Sequence, residues 1–495
     1  MAAAASALRT REVRALFAIT ALAGLLRFAT LDVQSFWLDE AVTVDVLDRG
    51  FGAMIDVIPK SESTPPLYYV LAWPWTKAFG LGEVGLRSFS AACGTAAVPV
   101  CWAAARELFG PPAALGTASL AAVSPFLVWC SQEGRAYALL VLVGGLSVWL
   151  TARLIRAPRR RAAALWVLAA LATVATHYFG AFVIAAEAVA LVALAPRRLA
   201  LAAVGAALLG GLLLLPLALD QQAAGFADYI AGASFVRRVE QMPKQLTLGF
   251  DAPLEVLTSA LACALAGAGV VIALVRPDDT WRRNRWVTIG LAAGGVLGPL
   301  ALALAGTDYL ITRNLILAWM PLAILAAAGL TSRFAGSAGL GALGLLAGLG
   351  LLASLSVPLE RSFQRENWRE AAQRVGPPAA RAVLVSGASQ SRAVELYRPR
   401  ARPDSKAPKA LTEVVALSRR GRDLAGYVPT GPDPGTMQAA GLSVVETRRE
   451  PTYELVRLRP ASGRPVTLEL QQLMALGLAR ERGPSAVLVE PPAGR

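Results

Sequence analysis

The sequence predicts an all-α polytopic membrane protein of about eleven transmembrane helices, followed by a small extracytoplasmic α/β domain. Its 495 residues are 55% hydrophobic and only 17% charged, whereas soluble proteins carry about 25% charged residues. Apolar runs recur from Leu16 to Val357 and then stop. We therefore divide the chain into a membrane module, residues 1–357, and a C-terminal domain, residues 358–495.

Eleven apolar segments of the chain approach the ~20 residues that a helix needs to cross the hydrocarbon core. They are residues 14–31, 88–105, 113–130, 136–154, 163–178, 180–195, 199–219, 254–275, 286–305, 315–331 and 338–357. Another apolar stretch, 65–80, is interrupted by Pro74 and Lys77, and counting it would place the later basic loops outside the cell. We interpret this stretch, which lies within the outer loop 32–87, as an interfacial helix, a depth that suits Trp73.

Short basic clusters between the apolar segments indicate the orientation of the chain, because cytoplasmic loops are enriched in Lys and Arg. With the N-terminus in the cytoplasm, every such cluster falls on the cytoplasmic side. The clusters are Arg106, Arg153–Arg161, Arg197–Arg198, Arg276–Arg285 and Arg333. The protein is therefore predicted to be a multi-pass protein of the cell inner or plasma membrane, with its C-terminal domain outside. Because the net charge of +14 is dispersed in this way, we expect no binding of nucleic acid.

Ionisable residues gather on the side of the membrane that is predicted to face outward. Such residues are costly at a bilayer, so they usually line a cavity or pair with one another. They come from five short segments of the outer loops and include Asp39, Glu40, Lys60, Glu62, Glu133, Arg135, His177, Tyr309 and Arg313. Their convergence on one face predicts a functional site there.

The adjacent carboxylates Asp39 and Glu40 suit a group transfer in which one carboxylate accepts the proton of an incoming hydroxyl. Arginine suits a leaving phosphate through its bidentate fork. Each group also has a structural alternative. The acid pair can belong to a solvated loop or be the charged start of a helix. His177 can be a hydrogen-bonded structural residue, and Glu133 with Arg135 can be a local ion pair at a helix start.

Two more ionisable residues allow two interpretations each. Glu187 lies in the middle of the predicted span 180–195, where an acid is either functional or held by an interhelical hydrogen bond. Arg313 lies just before the start of a predicted helix. Either it contributes to the predicted site, or its long side chain carries the charge to the membrane interface.

Short motifs follow one another along the chain in a consistent order. They are Phe36–Ala41, Thr64–Tyr69, Leu86–Ala91, Ser124–Phe126 leading to Glu133–Leu139, Thr176–Tyr178, Tyr309–Asn314 and Asn367–Arg369. In this order and spacing they resemble the membrane glycosyltransferases of the GT-C class, specifically the family 39/PMT-like group that includes protein O-mannosyltransferases and the aminoarabinose transferase of lipid A. One departure is Ser63-Thr64, where many relatives carry a histidine.

The resemblance implies a GT-C-like bundle and an inverting transfer of a hexosyl or pentosyl group from a polyprenyl-phosphate-linked donor. The acceptor implied is an envelope glycan, lipid or protein on the extracytoplasmic face. Asp39 corresponds to the catalytic base of the family, with Glu40 beside it. The substrate-binding residues predicted on this basis are Lys60, Tyr68, Arg87, Glu133, Arg135, Tyr137, His177, Tyr178, Tyr309 and Arg313. No cofactor is predicted with certainty, and a requirement for a divalent metal ion is left open.

Two other functions are compatible with a helical membrane protein. A transporter or lipid flippase also needs many helices and intramembrane charges, but the hydropathy shows no inverted repeat and no paired broken helices near the midplane. A noncatalytic scaffold that displays the C-terminal domain is the third hypothesis. The collection of charges on one predicted face favours the enzyme.

Overall fold

A computed structural model describes residues 2–275, 281–403, 409–420, 434–476 and 485–492. The chain divides into two compact units. The first comprises Met1–Leu31 and Val46–Ser356, and the second comprises Asp32–Asp45 and Val357–Arg495. The C-terminal unit thus includes a segment from the predicted outer loop, which the sequence does not indicate.

Helices occupy most of the chain up to residue 359. In chain order they are α1 (Ala2–Phe28), α2 (Leu38–Asp48), α3 (Phe51–Ser61), α4 (Leu67–Phe79), α5 (Glu83–Phe109), α6 (Pro111–Val123), α7 (Pro125–Ser131), α8 (Tyr137–Arg156), α9 (Arg160–Thr176), α10 (Gly180–Leu194), α11 (Arg197–Leu212), α12 (Leu215–Ala223), α13 (Phe235–Leu248), α14 (Glu255–Val275), α15 (Arg282–Leu304), α16 (Trp319–Leu330) and α17 (Gly336–Leu359). A 3₁₀ helix, Thr312–Ala318, leads into α16. The predicted interfacial stretch 65–80 contains helix α4.

Among the described residues, seven helical segments are long and apolar enough to cross a membrane, or eight if the bent pair α6 and α7 counts as one span. This supports a multi-pass membrane protein, and each of the eleven predicted spans coincides with helix. The number eleven itself is not confirmed. Helices α9 and α10 have 17 and 15 residues, which is short for a crossing of ~20 residues.

The predicted span 113–130 is broken rather than continuous. Helices α6 and α7 meet at an angle of 55°, where Pro125 lacks the N–H that would continue α6. The break leaves carbonyl groups of α6 without helical partners. The guanidinium of Arg27 replaces those partners by donating to the carbonyl oxygens of Ala121 and Ala122, both at 2.9 Å. Arg27 is fully buried, so its charge lies at the negative end of the α6 dipole and away from solvent.

Helices α8, α9 and α10 are joined by one buried carboxylate. Glu187 accepts hydrogen bonds from Ser147 Oγ at 2.8 Å, Thr151 Oγ1 at 2.9 Å and Trp166 Nε1 at 2.7 Å. These donors replace the water that a polar group loses inside a bundle. Of the two interpretations that the sequence allows for Glu187, the structure therefore shows interhelical hydrogen bonding.

The second unit contains a mixed sheet, as the predicted α/β domain requires. Its strands are β1 (Arg381–Val385), β2 (Arg402–Pro403), β3 (Lys409–Leu411), β4 (Glu413–Arg419), β5 (Leu442–Arg449), β6 (Tyr453–Pro460), β7 (Val466–Leu468) and β8 (Ala486–Glu490). Its helices after α17 are α18 (Trp368–Arg374), α19 (Ser391–Tyr397), α20 (Pro434–Ala439) and α21 (Leu470–Ala475). The six-stranded sheet has the order β2-β8-β1-β4-β6-β5, with β1 parallel to β4, while β3 and β7 form a separate pair.

Strand β1 lies at the centre of this unit and is buried on both faces. Successive side chains of a strand point to opposite faces, so Val383 and Val385 pack with α18 and α19, and Ala382 and Leu384 pack with α21. The apolar run Ala382–Ser386 predicts a strand, and β1 confirms it. The sequence from Gln364 predicts a helix, which begins later, at α18. The Pro-rich stretches 398–408 and 428–435 are predicted to be loops, and of these residues 404–408 and 428–433 lie outside the described residues.

Replacing Arg27 by Met should lower the unfolding temperature of the purified protein in detergent. Each buried carbonyl that loses its donor costs about 1–3 kcal/mol, and Ala121 and Ala122 would both lose theirs. Thermal unfolding followed by tryptophan fluorescence measures the change. The matched control, Arg198→Met, removes an exposed arginine and should leave the unfolding temperature unchanged. Equal unfolding temperatures for the two variants would contradict the role assigned to Arg27.

Candidate functional site

A buried ion pair lies at the centre of the polar residues of the first unit. The guanidinium of Arg135 donates to both carboxylate oxygens of Glu62, from Nη1 at 3.1 Å and from Nη2 at 3.0 Å. Arg135 Nη1 also donates to the hydroxyl of Tyr69 at 3.0 Å. Arg135 is 8% exposed and Glu62 is 3% exposed. Removing one partner of such a bidentate, desolvated pair strongly destabilises the protein, because the other charge is left buried without a partner.

Three sequence-distant segments supply this cluster. Glu62 follows the last turn of α3, Tyr69 lies in the first turn of α4, and Arg135 lies in the turn between α7 and α8. All three segments belong to loops that the sequence predicts to be outside the membrane. Arg135 is predicted to bind a leaving phosphate, and in the structure its fork holds the carboxylate of Glu62. Glu62 is one of the predicted outer charges, but the sequence predicts no role for it.

A second group surrounds His177, in the turn between α9 and α10. The guanidinium carbon of Arg313 lies 5.7 Å from the ring centroid of Tyr137, and the rings of Tyr137 and His177 are 5.9 Å apart. Burial, together with the positive charges of Arg135 and Arg313, lowers the pKa of His177 to about 4. The imidazole is therefore neutral near pH 7, and both predicted arginines act on this one side chain.

The neutral state of His177 agrees with its local hydrogen bond. Its Nδ1 accepts from the backbone N–H of Phe179 at 3.3 Å, which requires an unprotonated nitrogen. This is the structural role that the sequence analysis leaves open for the residue. The substrate-binding role of His177 stays a prediction.

A third connection involves a residue that the sequence analysis missed. Tyr178 donates its hydroxyl proton to Gln221 Oε1 at 2.7 Å, and Gln221 Nε2 donates to the carbonyl of Thr64 at 3.1 Å. Gln221 on α12 therefore links the turn after α9 to the loop before α4. Burial raises the pKa of Tyr178 to about 12, so its hydroxyl stays protonated. A neutral amide at the end of an apolar run gives no sequence signal for this role.

The remaining predicted residues of the first unit have varied surroundings. Glu133 is buried and accepts from Trp129 Nε1 at 3.1 Å. Arg87 is buried and donates to the carbonyl of Leu31 at 2.7 Å. The ring of Tyr68 lies edge-on to Tyr69 with 5.5 Å between centroids. These contacts show that the three side chains help to hold the outer segments.

Lys60 and Tyr309 are two further predicted residues of the first unit. Lys60 is exposed in the last turn of α3. Tyr309 lies in the loop after α15, and burial together with the nearby Asp228 raises its pKa. The same loop is tied to α13 by Arg238, whose Nη1 donates to Asp308 Oδ1 at 3.0 Å.

Asp39 and Glu40 belong to the second unit, in the first turn of α2. Glu40 is fully buried and Asp39 is half-buried. The two residues therefore lie at the start of a helix, which is one of the structural alternatives for the acid pair. The helix dipole favours carboxylates at this position. The cavity that the sequence predicts for this acid pair and the arginines stays a prediction.

No group of three or more His, Cys, Asp or Glu side chains in the described part of the chain is arranged to hold a metal ion. A catalytic metal normally has about three protein ligands. The requirement for a divalent metal ion stays an open prediction.

Part of the first unit matches a known protein family. Residues 63–219 match the family model of dolichyl-phosphate-mannose-protein mannosyltransferases. This segment contains Arg135, His177 and Tyr178 of the site described above. No curated protein matches the chain by sequence.

Solved structures similar to the chain cover most of its length. ArnT from Cupriavidus metallidurans in the apo state superposes with a TM-score of 0.55 at 13% identity, covering 92% of this chain and 98% of that chain. The same enzyme bound to undecaprenyl phosphate gives a TM-score of 0.53 at 13% identity, covering 89% and 97%. The archaeal oligosaccharyltransferase AglB from Archaeoglobus fulgidus, in complex with an inhibitory peptide and a dolichol-phosphate, gives 0.51 at 12% identity, covering 83% and 69%. The resemblance to GT-C, PMT-like membrane glycosyltransferases is therefore confirmed, and the chain has their fold.

The ion pair between Arg135 and Glu62 should show strong energetic coupling. We test it in a double-mutant cycle with Glu62→Gln and Arg135→Gln. The double variant should lose less free energy of unfolding than the two single variants lose in sum, by at least about 1 kcal/mol. Denaturant unfolding in detergent measures the four free energies of unfolding.

The exposed ion pair between Arg156 and Glu107 provides the comparison for this cycle. An exposed pair contributes about 0–1 kcal/mol, so the same substitutions there should give a smaller coupling. A coupling at the buried pair no larger than that at the exposed pair would contradict the assigned strength.

Proposed function

We propose that the chain is an integral membrane glycosyltransferase that moves a sugar from a polyprenyl-phosphate-linked donor to an envelope acceptor on the extracytoplasmic face. The observation that carries the proposal is the match of residues 63–219 to the mannosyltransferase model, because this segment holds the buried Arg135 and its partner Tyr69. Two proteins of similar fold were solved with undecaprenyl phosphate and with a dolichol-phosphate. These ligands share a phosphate on a polyisoprenoid chain, which supports a donor of that class.

Asp39 is the proposed general base. It accepts the proton of the acceptor hydroxyl while the hydroxyl oxygen forms a bond to the anomeric carbon of the donor sugar. The bond from that carbon to the phosphate oxygen breaks, and polyprenyl phosphate leaves with the bonding electrons. Attack opposite the leaving group inverts the anomeric configuration. The adjacent Glu40 supports Asp39 in the first turn of α2.

Arg135 and Arg313 are proposed to neutralise the leaving phosphate. Both charges act on His177, which supports a common positive field in the first unit. Glu62 satisfies the fork of Arg135. A phosphate presents the same type of oxygen acceptor to a guanidinium as a carboxylate does, so it can share this fork or take the place of Glu62 there. His177 and Tyr178, both uncharged near pH 7, contribute polar contacts without repelling an anion.

The alternative of a transporter or flippase is not favoured by the broken span. Discontinuous helices of transporters leave backbone groups available to substrate or ions. In the one bent pair found among the described helices, the carbonyls of Ala121 and Ala122 instead bind Arg27. That break is therefore filled by the protein itself.

Asp39→Asn should reduce sugar transfer by about 10²–10⁴-fold, which is the contribution of a positioned general base. The assay uses purified full-length protein in proteoliposomes with a panel of undecaprenyl-phosphate-linked hexoses and pentoses. Mass spectrometry of envelope glycans and lipids from cells with and without the gene identifies the acceptor to add.

The matched control for this substitution is Asp48→Asn, at the exposed end of the same helix, which should retain wild-type turnover. Undiminished transfer by Asp39→Asn would remove Asp39 from the mechanism. A wild-type protein that transfers no sugar from the panel to the acceptors identified in cells would overturn the proposed function as a whole.

A further inference from the structure

Residues 32–37, which we refer to as the strap, are bound by the C-terminal part of their own unit. The Oγ of Ser35 donates to the carbonyl of Glu366 at 2.8 Å and accepts from the backbone N–H of Trp368 at 3.0 Å. The backbone N–H of Phe36 donates to the hydroxyl of Tyr397 at 2.7 Å. These bonds join residues that are more than 330 positions apart in sequence.

Further contacts run along the same segment. The backbone N–H of Arg365 donates to Gln34 Oε1 at 2.9 Å, and the Arg365 guanidinium lies 5.2 Å from the ring centroid of Trp37. Arg369 Nη2 donates to the carbonyl of Asp32 at 2.6 Å. The strap is therefore held at successive residues by backbone and side-chain groups near the start of α18.

The strap leads directly into the first turn of α2, which carries the acid pair. On the other side of the pair, Ala41 is buried in the core that contains Trp368 and Val383. Asp39 is thus three residues from the bonded N–H of Phe36 and two from Ala41. Because consecutive Cα atoms are only about 3.8 Å apart, fixing both flanks fixes the backbone of the acid pair.

We propose that Tyr397 and Ser35 are positioning residues for Asp39, so that sugar transfer depends on the C-terminal unit through the hydrogen bonds of the strap. The inference rests on the base role proposed for Asp39. A general base must lie within hydrogen-bond reach of the proton that it accepts, and a misplacement of about 1 Å costs about 10²-fold in rate. Residues of α18 and α19 and the segment before α18 then contribute to the rate of transfer by holding Asp39 in position.

Tyr397→Phe tests the proposal, because it removes one hydroxyl and keeps the ring beside Phe36. We expect kcat to fall about tenfold, as for a partial misplacement, while the KM for the undecaprenyl-phosphate sugar used by the wild type stays the same. The matched control is Tyr453→Phe. Tyr453 is fully buried in the same core, and its hydroxyl has no hydrogen-bond partner among the described residues. Its kcat and KM should equal those of the wild type.

Ser35→Ala is a second variant that removes two bonds of the strap by a different route. It should lower kcat in the same way as Tyr397→Phe. Its matched control is Ser386→Ala, which removes a buried hydroxyl of the same unit that is also unpartnered in the described structure. Agreement between the two strap variants, with both controls unaffected, would exclude a general effect of removing a buried hydroxyl.

Hydrogen exchange of residues 32–43 in the full-length protein gives a readout that does not require activity. Exchange of the Phe36 amide should accelerate in both strap variants and in neither control. Faster exchange with unchanged kcat, or unchanged exchange in both variants, would overturn the positioning role while leaving the proposed function intact. A wild type without transfer activity would overturn both the proposed function and this inference, even if the strap remained protected from exchange.

Discussion

A charge inside a helical membrane bundle has no water to solvate it, so the protein itself must supply its partners. Three buried ionisable groups of the first unit meet this requirement in three ways. Arg27 is satisfied by helix carbonyls, Glu187 by neutral side-chain donors, and Arg135 by the carboxylate of Glu62. The packing of the neighbouring helices and turns follows from these partnerships.

The same requirement separates structural charges from those that suit chemistry. Arg27 and Glu187 lie within helices and bind groups that cannot leave, namely backbone carbonyls and side chains of adjacent helices. Arg135 lies in a turn and binds a carboxylate that follows another helix, and its charge, like that of Arg313, acts on the neutral imidazole of His177. Under the proposed function, the phosphate of the donor competes with Glu62 for that fork.

Local sequence patterns predict the elements well, because hydropathy and strand alternation depend on near neighbours. All eleven apolar segments lie on helix, and β1 lies where its apolar run indicates. The break before Pro125 was missed because the apolar run continues through it. Gln221 and the strap were missed for a different reason: a neutral amide and an ordinary loop acquire their partners only through long-range folding, across 157 residues for Gln221 and Thr64. The charges at the outer turns were found because ionisable residues are rare in such sequences.

The division of the chain into units gives this chemistry a physical rationale. A polyprenyl phosphate is a lipid, and the arginines proposed to bind its phosphate belong to the helical unit. The acid pair proposed to activate a polar hydroxyl belongs instead to the unit with the mixed sheet. A helix dipole favours negative charge at the first turn of a helix, whereas the buried Glu187 among apolar helices depends on side-chain donors. The strap, bound within the unit with the mixed sheet, holds the segment that carries the proposed base.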